Sequence, residues 1–288
     1  MIRGQISQGL ILPLSVLPDN KSYSLGDDVT KDLGIVKYDP ELEQEEKVTK
    51  KSATKKRNPV IKYLCRFKWF RNLYVKPKEN CGFPDWIKKT DEERIQNCVS
   101  LFEKMKADKT ILSVTEKIDG TSATYFLKRI KKRKYEFGVC SRNRHLKTED
   151  DSYYWNIARK YNIKEALKSL IGNEDWIVLQ GEITGEKIQK NKYPFTGGDR
   201  FWAFNLITPT KTYTTEEMEP ILAKKCISTV PIITSHYIVP ETIDEIVEFA
   251  KGTSHICNRQ REGCVFRNVE KGISFKAINP NFLLDEDL

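Results

Sequence analysis

Apolar positions in the last two-thirds of the chain fall into short runs of two periods. ILSVT (111–115), SATYFLK (122–128), YEFGVC (135–140), WIVLQGEIT (176–184), FWAFNLI (201–207), GCVFRN (263–268) and ISFKAI (273–278) are short and rich in β-branched and aromatic residues, and they predict strands. Helical spacing takes over near 155–171, 215–226 and 242–251. A further helix of about four turns is expected from Ile95, Cys98, Val99, Phe102 and Met105, which share one face behind a Thr90…Glu93 capping box. Thr242 and Glu245 repeat that capping arrangement. Strands outnumber helices, and most connections are too short for βαβ crossovers. The fold class expected is therefore α+β, with antiparallel sheets carrying helices on their outer faces.

Upstream the pattern changes. Residues 1–38 read as short strands and turns around Gly26-Asp27-Asp28, too few to close a barrel. Residues 39–60 are charged, poor in apolar residues and end near Pro59, which reads as a linker. In KYLCRFKWFRNLY, Leu64, Phe67, Phe70, Leu73 and Tyr74 recur at helical spacing with basic residues between them. The organisation expected is a β segment at 1–38, a basic linker with an amphipathic helix at 39–83, and one large domain at 84–288.

Charge and cysteine usage narrow the setting. The net charge is +9, yet residues 47–78 alone hold twelve Lys or Arg and no Asp or Glu. Such a run is either a solvated, solubilising linker or a surface for a polyanion, and phosphate chains are the commonest polyanion in a cell. No apolar run approaches the ~18–20 residues of a membrane span. The seven cysteines are scattered without a C-x-x-C pair, which argues against a disulfide framework and a zinc site and for a reducing, intracellular, cytoplasmic setting. Nothing in the sequence speaks to oligomeric state.

Candidate chemistry centres on Lys117-Ile118-Asp119-Gly120, a K-x-D-G placed just after a strand. A lysine amine is a good nucleophile toward phosphorus only when neutral, and its ordinary pKa of ~10.4 keeps it protonated. Carboxylates nearby would worsen this unless they hold a cation. Glu182 ends the WIVLQGEIT run, and Glu262 opens an E-G-x-V ending at Val265. Arg142 follows YEFGVC, Phe204 lies inside FWAFNLI, and Lys276 lies in the last strand. Each has a plain alternative: a surface ion pair, a core aromatic, a salt bridge between Arg261 and Glu262.

In order and spacing, these elements resemble motifs I, Ia, III, IIIa, IV and V of the covalent nucleotidyltransferases: DNA ligases, RNA ligases and mRNA capping enzymes. The resemblance covers roughly residues 84–288 and implies a nucleotidyltransferase (ATP-grasp-like) domain. It implies Lys117 as the nucleophile that takes AMP from ATP. Asp119, Glu182 and Glu262 would hold Mg2+ or Mn2+ through water, and Lys276 would neutralise the α-phosphate. Phe204 and Val265 would sandwich the adenine. Glu116 would read the base through its backbone, Ile118 would lie against the nucleotide, and Arg142 would meet the ribose or the RNA end.

Within that superfamily the chain looks most like ATP-dependent RNA ligases. Only twelve residues follow Lys276, leaving no room for the C-terminal OB domain of DNA ligases and capping enzymes. Ile188-Gln189-Lys190-Asn191-Lys192-Tyr193 resembles the I-Q-x-N-x-Y stretch of RNA ligases. Residues 2–40 resemble the end of the N-terminal OB domain of one RNA ligase branch, here incomplete. Where many relatives read K-x-K in motif V, this chain reads Ser274-Phe275-Lys276. The expected partners are RNA ends, or a nicked duplex with an RNA 3′-OH. A DNA ligase, a capping-type guanylyltransferase and a non-catalytic RNA-binding scaffold remain alternatives.

Overall fold

The computed structural model divides the chain into two compact units, residues 1–77 and 78–288. It describes residues 80–132, 134–188 and 193–284, together with residues 17, 23, 24, 29, 32 and 33. The OB-like segment, the charged linker, the basic run and its amphipathic helix fall outside the described residues, apart from those six positions.

In the second unit, seven strands form one sheet and four another. The larger sheet has the order β1 (Asn80–Gly82), β5 (Arg144–Leu146), β4 (Lys134–Cys140), β3 (Thr121–Lys131), β6 (Trp176–Thr184), β7 (Arg200–Ile207), β8 (Ser228–Thr229). The smaller runs β11 (Ile273–Ile278), β10 (Gly263–Asn268), β2 (Ile111–Lys117), β9 (Ile232–Ile238). Every pairing is antiparallel except β7 with β8. All seven strand-like runs are strands. β9 escapes the sequence pattern because it is an edge strand, half-exposed along most of its length, so no clean apolar alternation marks it.

The helices are α1 (Val99–Ala107), α2 (Tyr153–Lys160), α3 (Ile163–Leu170), α4 (Thr215–Ala223), α5 (Ile243–Phe249) and α6 (Pro280–Leu284). The run at 155–171 is two helices, because Asn162 turns left-handed (φ 47°) between them. The helix expected behind Thr90 is shorter than four turns and starts later. Residues 95–97 make a 3₁₀ turn, α1 begins at Val99, and Val99 is exposed. Thr90 caps nothing there; its hydroxyl meets that of Ser122 at 3.0 Å. The Thr242 cap does form, its hydroxyl accepting from the Glu245 N–H at 3.3 Å.

Each sheet packs one face on helices and keeps a more polar second face, because strand side chains alternate, although Phe126, Cys140 and Val178 on the second face of the larger sheet pack with Ile87. Leu112, Val114, Phe266, Phe275 and Ala277 pack with Phe102 and Met105 of α1 and Ile246 of α5. On the larger sheet Ala123, Tyr125, Leu179, Phe201 and Leu206 pack with residues of α2, α3 and α4. The intervening residues of both sheets line a cavity of about 700 Å3: Ser113, Thr115 and Arg267 from one, Gln180, Phe204 and Asn205 from the other. Helices seal the outer faces, so the polar faces are left to bind something.

Phe266 is fully buried and stacked on Phe275, with ring centroids 5.0 Å apart and planes 7° from parallel. Phe266→Ala should cost about 3–5 kcal/mol of unfolding free energy, read by denaturant titration.

Candidate active site

The nucleophile candidate sits where the chain leaves one sheet for the other. Lys117 ends β2, facing Gly263 of β10, and only Ile118, Asp119 and Gly120 separate it from β3. Ile118 is buried and packs among Tyr193, Phe195, Val230 and Phe282. A Cβ on Gly120 would collide with the carbonyl of Ile183, so only glycine lets this crossover lie against the end of β6. That close approach brings Asp119 toward Glu182. Gly263 has φ +156° and no room for a Cβ beside the Ala277 carbonyl, which lets β10 approach β11 immediately after Glu262.

Lys117 and Glu262 form an ion pair, Nζ to Oε2 2.6 Å, with side chains only 25% and 16% exposed. Burial favours the neutral amine, but Glu262, Glu182 and Asp119 outweigh it, and the Lys117 pKa stands above its ordinary value. Burial first, then the Glu262 and Asp119 charges, push Glu182 up to about 8 against the pull of Lys117 and Arg142. Three carboxylates thus crowd the Lys117 ammonium, with Lys276 and Arg142 farther out, and Glu182 is driven toward its neutral form. That deficit of positive charge is what a divalent cation would cure, and the carboxylate donor set suits Mg2+ or Mn2+. Among the described residues no three acidic, His or Cys side chains lie close enough to cage an ion directly. An ion here would take these carboxylates largely through water, as Mg2+ commonly does.

The remaining predicted residues gather around this centre. Lys276 lies on β11 opposite Val265, which lies opposite Thr115 on β2, so Val265 and Lys276 share the face of Lys117. The Lys276 N–H donates to the Glu93 carbonyl at 2.8 Å, tying the segment before α1 to this edge strand. Burial and the nearby Lys117 charge push the Lys276 pKa down. Phe204 sits at a bulge of β7, where the pairing with β6 slips between Gln180 and Gly181. Its carbonyl accepts from Arg267 Nη1 at 2.9 Å, and the guanidinium lies 5.6 Å from its ring. Arg142, on the turn after β4, pairs with Asp91 at 2.5 Å and is half exposed.

Glu116 faces away from the lysine. Its buried carboxylate accepts from the Ser254 hydroxyl and from the His255 N–H (2.8 Å), and its own N–H is spent on the Pro231 carbonyl at 2.9 Å. The Arg261–Glu262 salt bridge weighed from sequence does not form: Arg261 donates to the carbonyls of Phe249, Ala250 and Lys251 at the end of α5. Asn279 completes the frame, its N–H donating to the Glu262 carbonyl and its side chain to the Arg261 carbonyl. Arg267, Asn279 and Tyr193 were not singled out from sequence as site residues. Tyr193 alone had a signal, as the last residue of the I-Q-x-N-x-Y stretch, of which Gln189 to Lys192 lie outside the described residues.

With this geometry in place, comparison with known proteins is informative. The RNA ligase family profile matches residues 110–278, from the residue before β2 to the end of β11. The chain belongs to the RNA ligase family. Its activity is ATP-dependent joining of RNA ends through an AMP intermediate, and the DNA-ligase, guanylyltransferase and non-catalytic alternatives give way to it. A lysine-to-alanine variant of Naegleria gruberi RNA ligase solved with ATP and Mn is 31% identical at a TM-score of 0.66, over 99% of this chain and 74% of that one. A lysine-to-methionine variant of the same enzyme, solved with AMP and Mn, is 31% identical at 0.65, over 98% and 74%. The Naegleria enzyme with pyrophosphate is 30% identical at 0.65, over 99% and 74%. No curated protein sequence matches the chain. No helix among the described residues of this RNA ligase is long and apolar enough to cross a membrane.

The raised Glu182 pKa has a consequence for stability. Between pH 4.5 and about 8 the unfolded chain releases this proton and the folded one retains it, so the group makes stability fall as pH rises. Glu182→Gln should therefore raise the metal-free Tm at pH 7.5 by at least about 2 °C, with the gain gone at pH 4.5. Calorimetry at the two pH values checks it.

Proposed function

We propose that this RNA ligase forms its AMP intermediate on Lys117. The observation that carries the reading is the convergence of one ammonium with Glu262 at 2.6 Å and with Glu182 and Asp119 within electrostatic reach, at the joint between two sheets. The neutral Lys117 amine attacks the α-phosphorus of ATP. A P–N bond forms, the P–O bond to the β-phosphate breaks, pyrophosphate leaves, and the amine sheds its proton. The RNA 5′-phosphate then attacks the same phosphorus, returning the amine. Finally the RNA 3′-OH attacks the 5′-phosphate and AMP leaves. A divalent cation held through water by Asp119, Glu182 and Glu262 would offset their charge, favouring the neutral amine, and neutralise phosphate oxygens. The solved Naegleria relatives carry ATP or AMP together with Mn, which supports the same choice here.

The other side chains position and neutralise. Lys276, on the lysine's own face, offers its charge to the α-phosphate. Phe204 and Val265, on the opposed polar faces, offer apolar surfaces to the adenine. With its N–H engaged, Glu116 has only its backbone carbonyl left to offer the base. Arg142, exposed and within the field of Glu182, suits the ribose or the RNA end. Lys128, Lys131, Lys132 and Lys134, at the exposed end of the β3–β4 hairpin, suit the RNA backbone. Arg129 between them is already held by the carbonyls of Gly172 and Glu174 and the Tyr135 hydroxyl. A cytoplasmic setting accords with Cys98, Cys140, Cys226, Cys257 and Cys264, all free thiols.

Incubation with [α-32P]ATP and Mn2+ should label the wild type, and Lys117→Ala should take up no label; equal labelling removes the nucleophile assignment. Nicked duplexes with an RNA 3′-OH should be sealed faster than all-DNA nicks, compared by gel. Sealing at sub-saturating RNA should fall on the order of tenfold or more between 50 and 200 mM salt, and less steeply when the four hairpin lysines are replaced by glutamine.

A further inference from the structure

The hydroxyl of Tyr193 stands between the two catalytic loops. It accepts the Asp119 N–H at 3.2 Å and the Glu262 N–H at 3.4 Å. These amides belong to segments more than a hundred residues apart: the crossover carrying Lys117 and Asp119, and the strand entry carrying Glu262. The ring is 2% exposed, packed with Phe195 and Phe282 and against Ile118, so it cannot swing to follow either loop. Glu262 is already held from its other side by Asn279 and by the buried Arg261 before it. On the crossover side, Ile118 is packed, Gly120 lies close against β6, and Lys117 pairs with Gly263 of β10. One oxygen therefore joins the backbones of Asp119 and Glu262, adding a tie beyond the β2–β10 pairing that sets Lys117 opposite Gly263.

We propose that Tyr193 is a positioning residue for lysine adenylylation, tying the nucleophile loop to the Glu262 loop so that amine and carboxylates meet ATP as one unit. This rests on Lys117 being the nucleophile. Removing the hydroxyl takes a shared acceptor from two amides and loosens the tie between the loops, and misplacement by ~1 Å can cost on the order of 100-fold in rate. ATP affinity, set by the base platform and the phosphate cations, should change little.

The variant is Tyr193→Phe, which keeps the ring and its packing. Single-turnover labelling with [α-32P]ATP and Mn2+ gives the adenylylation rate and its half-saturating ATP concentration. Joining of chemically pre-adenylylated RNA, which bypasses lysine adenylylation, is measured in parallel, with the Tm. The expected result is an adenylylation rate at least about tenfold slower at saturating ATP, half-saturation within about threefold of wild type, and joining of pre-adenylylated ends much less affected. A wild-type labelling rate overturns the proposal, as does an equal fall in both reactions with a large loss of Tm, which would make the hydroxyl a general stability element. Lys117→Ala is run beside it. If that variant labels, the nucleophile assignment has failed; if it is silent while Tyr193→Phe labels normally, only the tie has failed.

Discussion

An ammonium 2.6 Å from a carboxylate, both three-quarters buried or more, is the contact around which this RNA ligase is arranged. Such a pair is a poor way to gain stability, because desolvating two charges costs about as much as their attraction returns. Here the strain is greater, since Glu182 and Asp119 crowd the same ammonium and Glu182 is pushed toward its neutral form. Left alone, the cluster keeps the lysine protonated and drives Glu182 toward its neutral form. It becomes consistent with nucleophilic chemistry once positive charge enters from outside, which a divalent ion held by these carboxylates through water would supply.

The rest of the unit holds that cluster at the joint between two sheets, beside a cavity lined by Phe204 and Arg267 rather than by the cluster itself. Two sheets bury their apolar faces against helices and turn their polar faces toward a shared cavity. The chain passes between them through Ile118, Asp119 and Gly120, and Lys117 stands at the start of that passage. Around it, the braces are backbone contacts to buried side chains: Asn279 and Arg261 behind Glu262, Tyr193 across to Asp119, Glu116 into the Ser254–His255 turn. Each removes a degree of freedom from the cluster or from the segment that carries it. Arg267 does the same for Phe204, meeting the carbonyl freed by the β7 bulge from the opposite sheet.

The strands were legible because alternation and β-branched composition are local properties. Every run written as a strand is one, and β6, β10 and β11 keep their predicted limits. The helix behind Thr90 was misread because a capping box is a short pattern of common residues. Its threonine was claimed instead by Ser122, a contact no local window contains. The Arg261–Glu262 pairing failed for the same reason: helix-terminal carbonyls from another element were the better partner.

What the sequence determined by itself was the alternation of faces, the α+β class and the identity of the chemical groups, since residue types and periods need no partner to be recognised. Tertiary structure alone decided which groups meet. Lys117 and Glu262 are 145 residues apart and touch only because β2 and β10 are neighbours, in the register that sets Lys117 opposite Gly263. Charge states followed that decision, because burial and field depend on distances that exist only after two sheets have closed on one another.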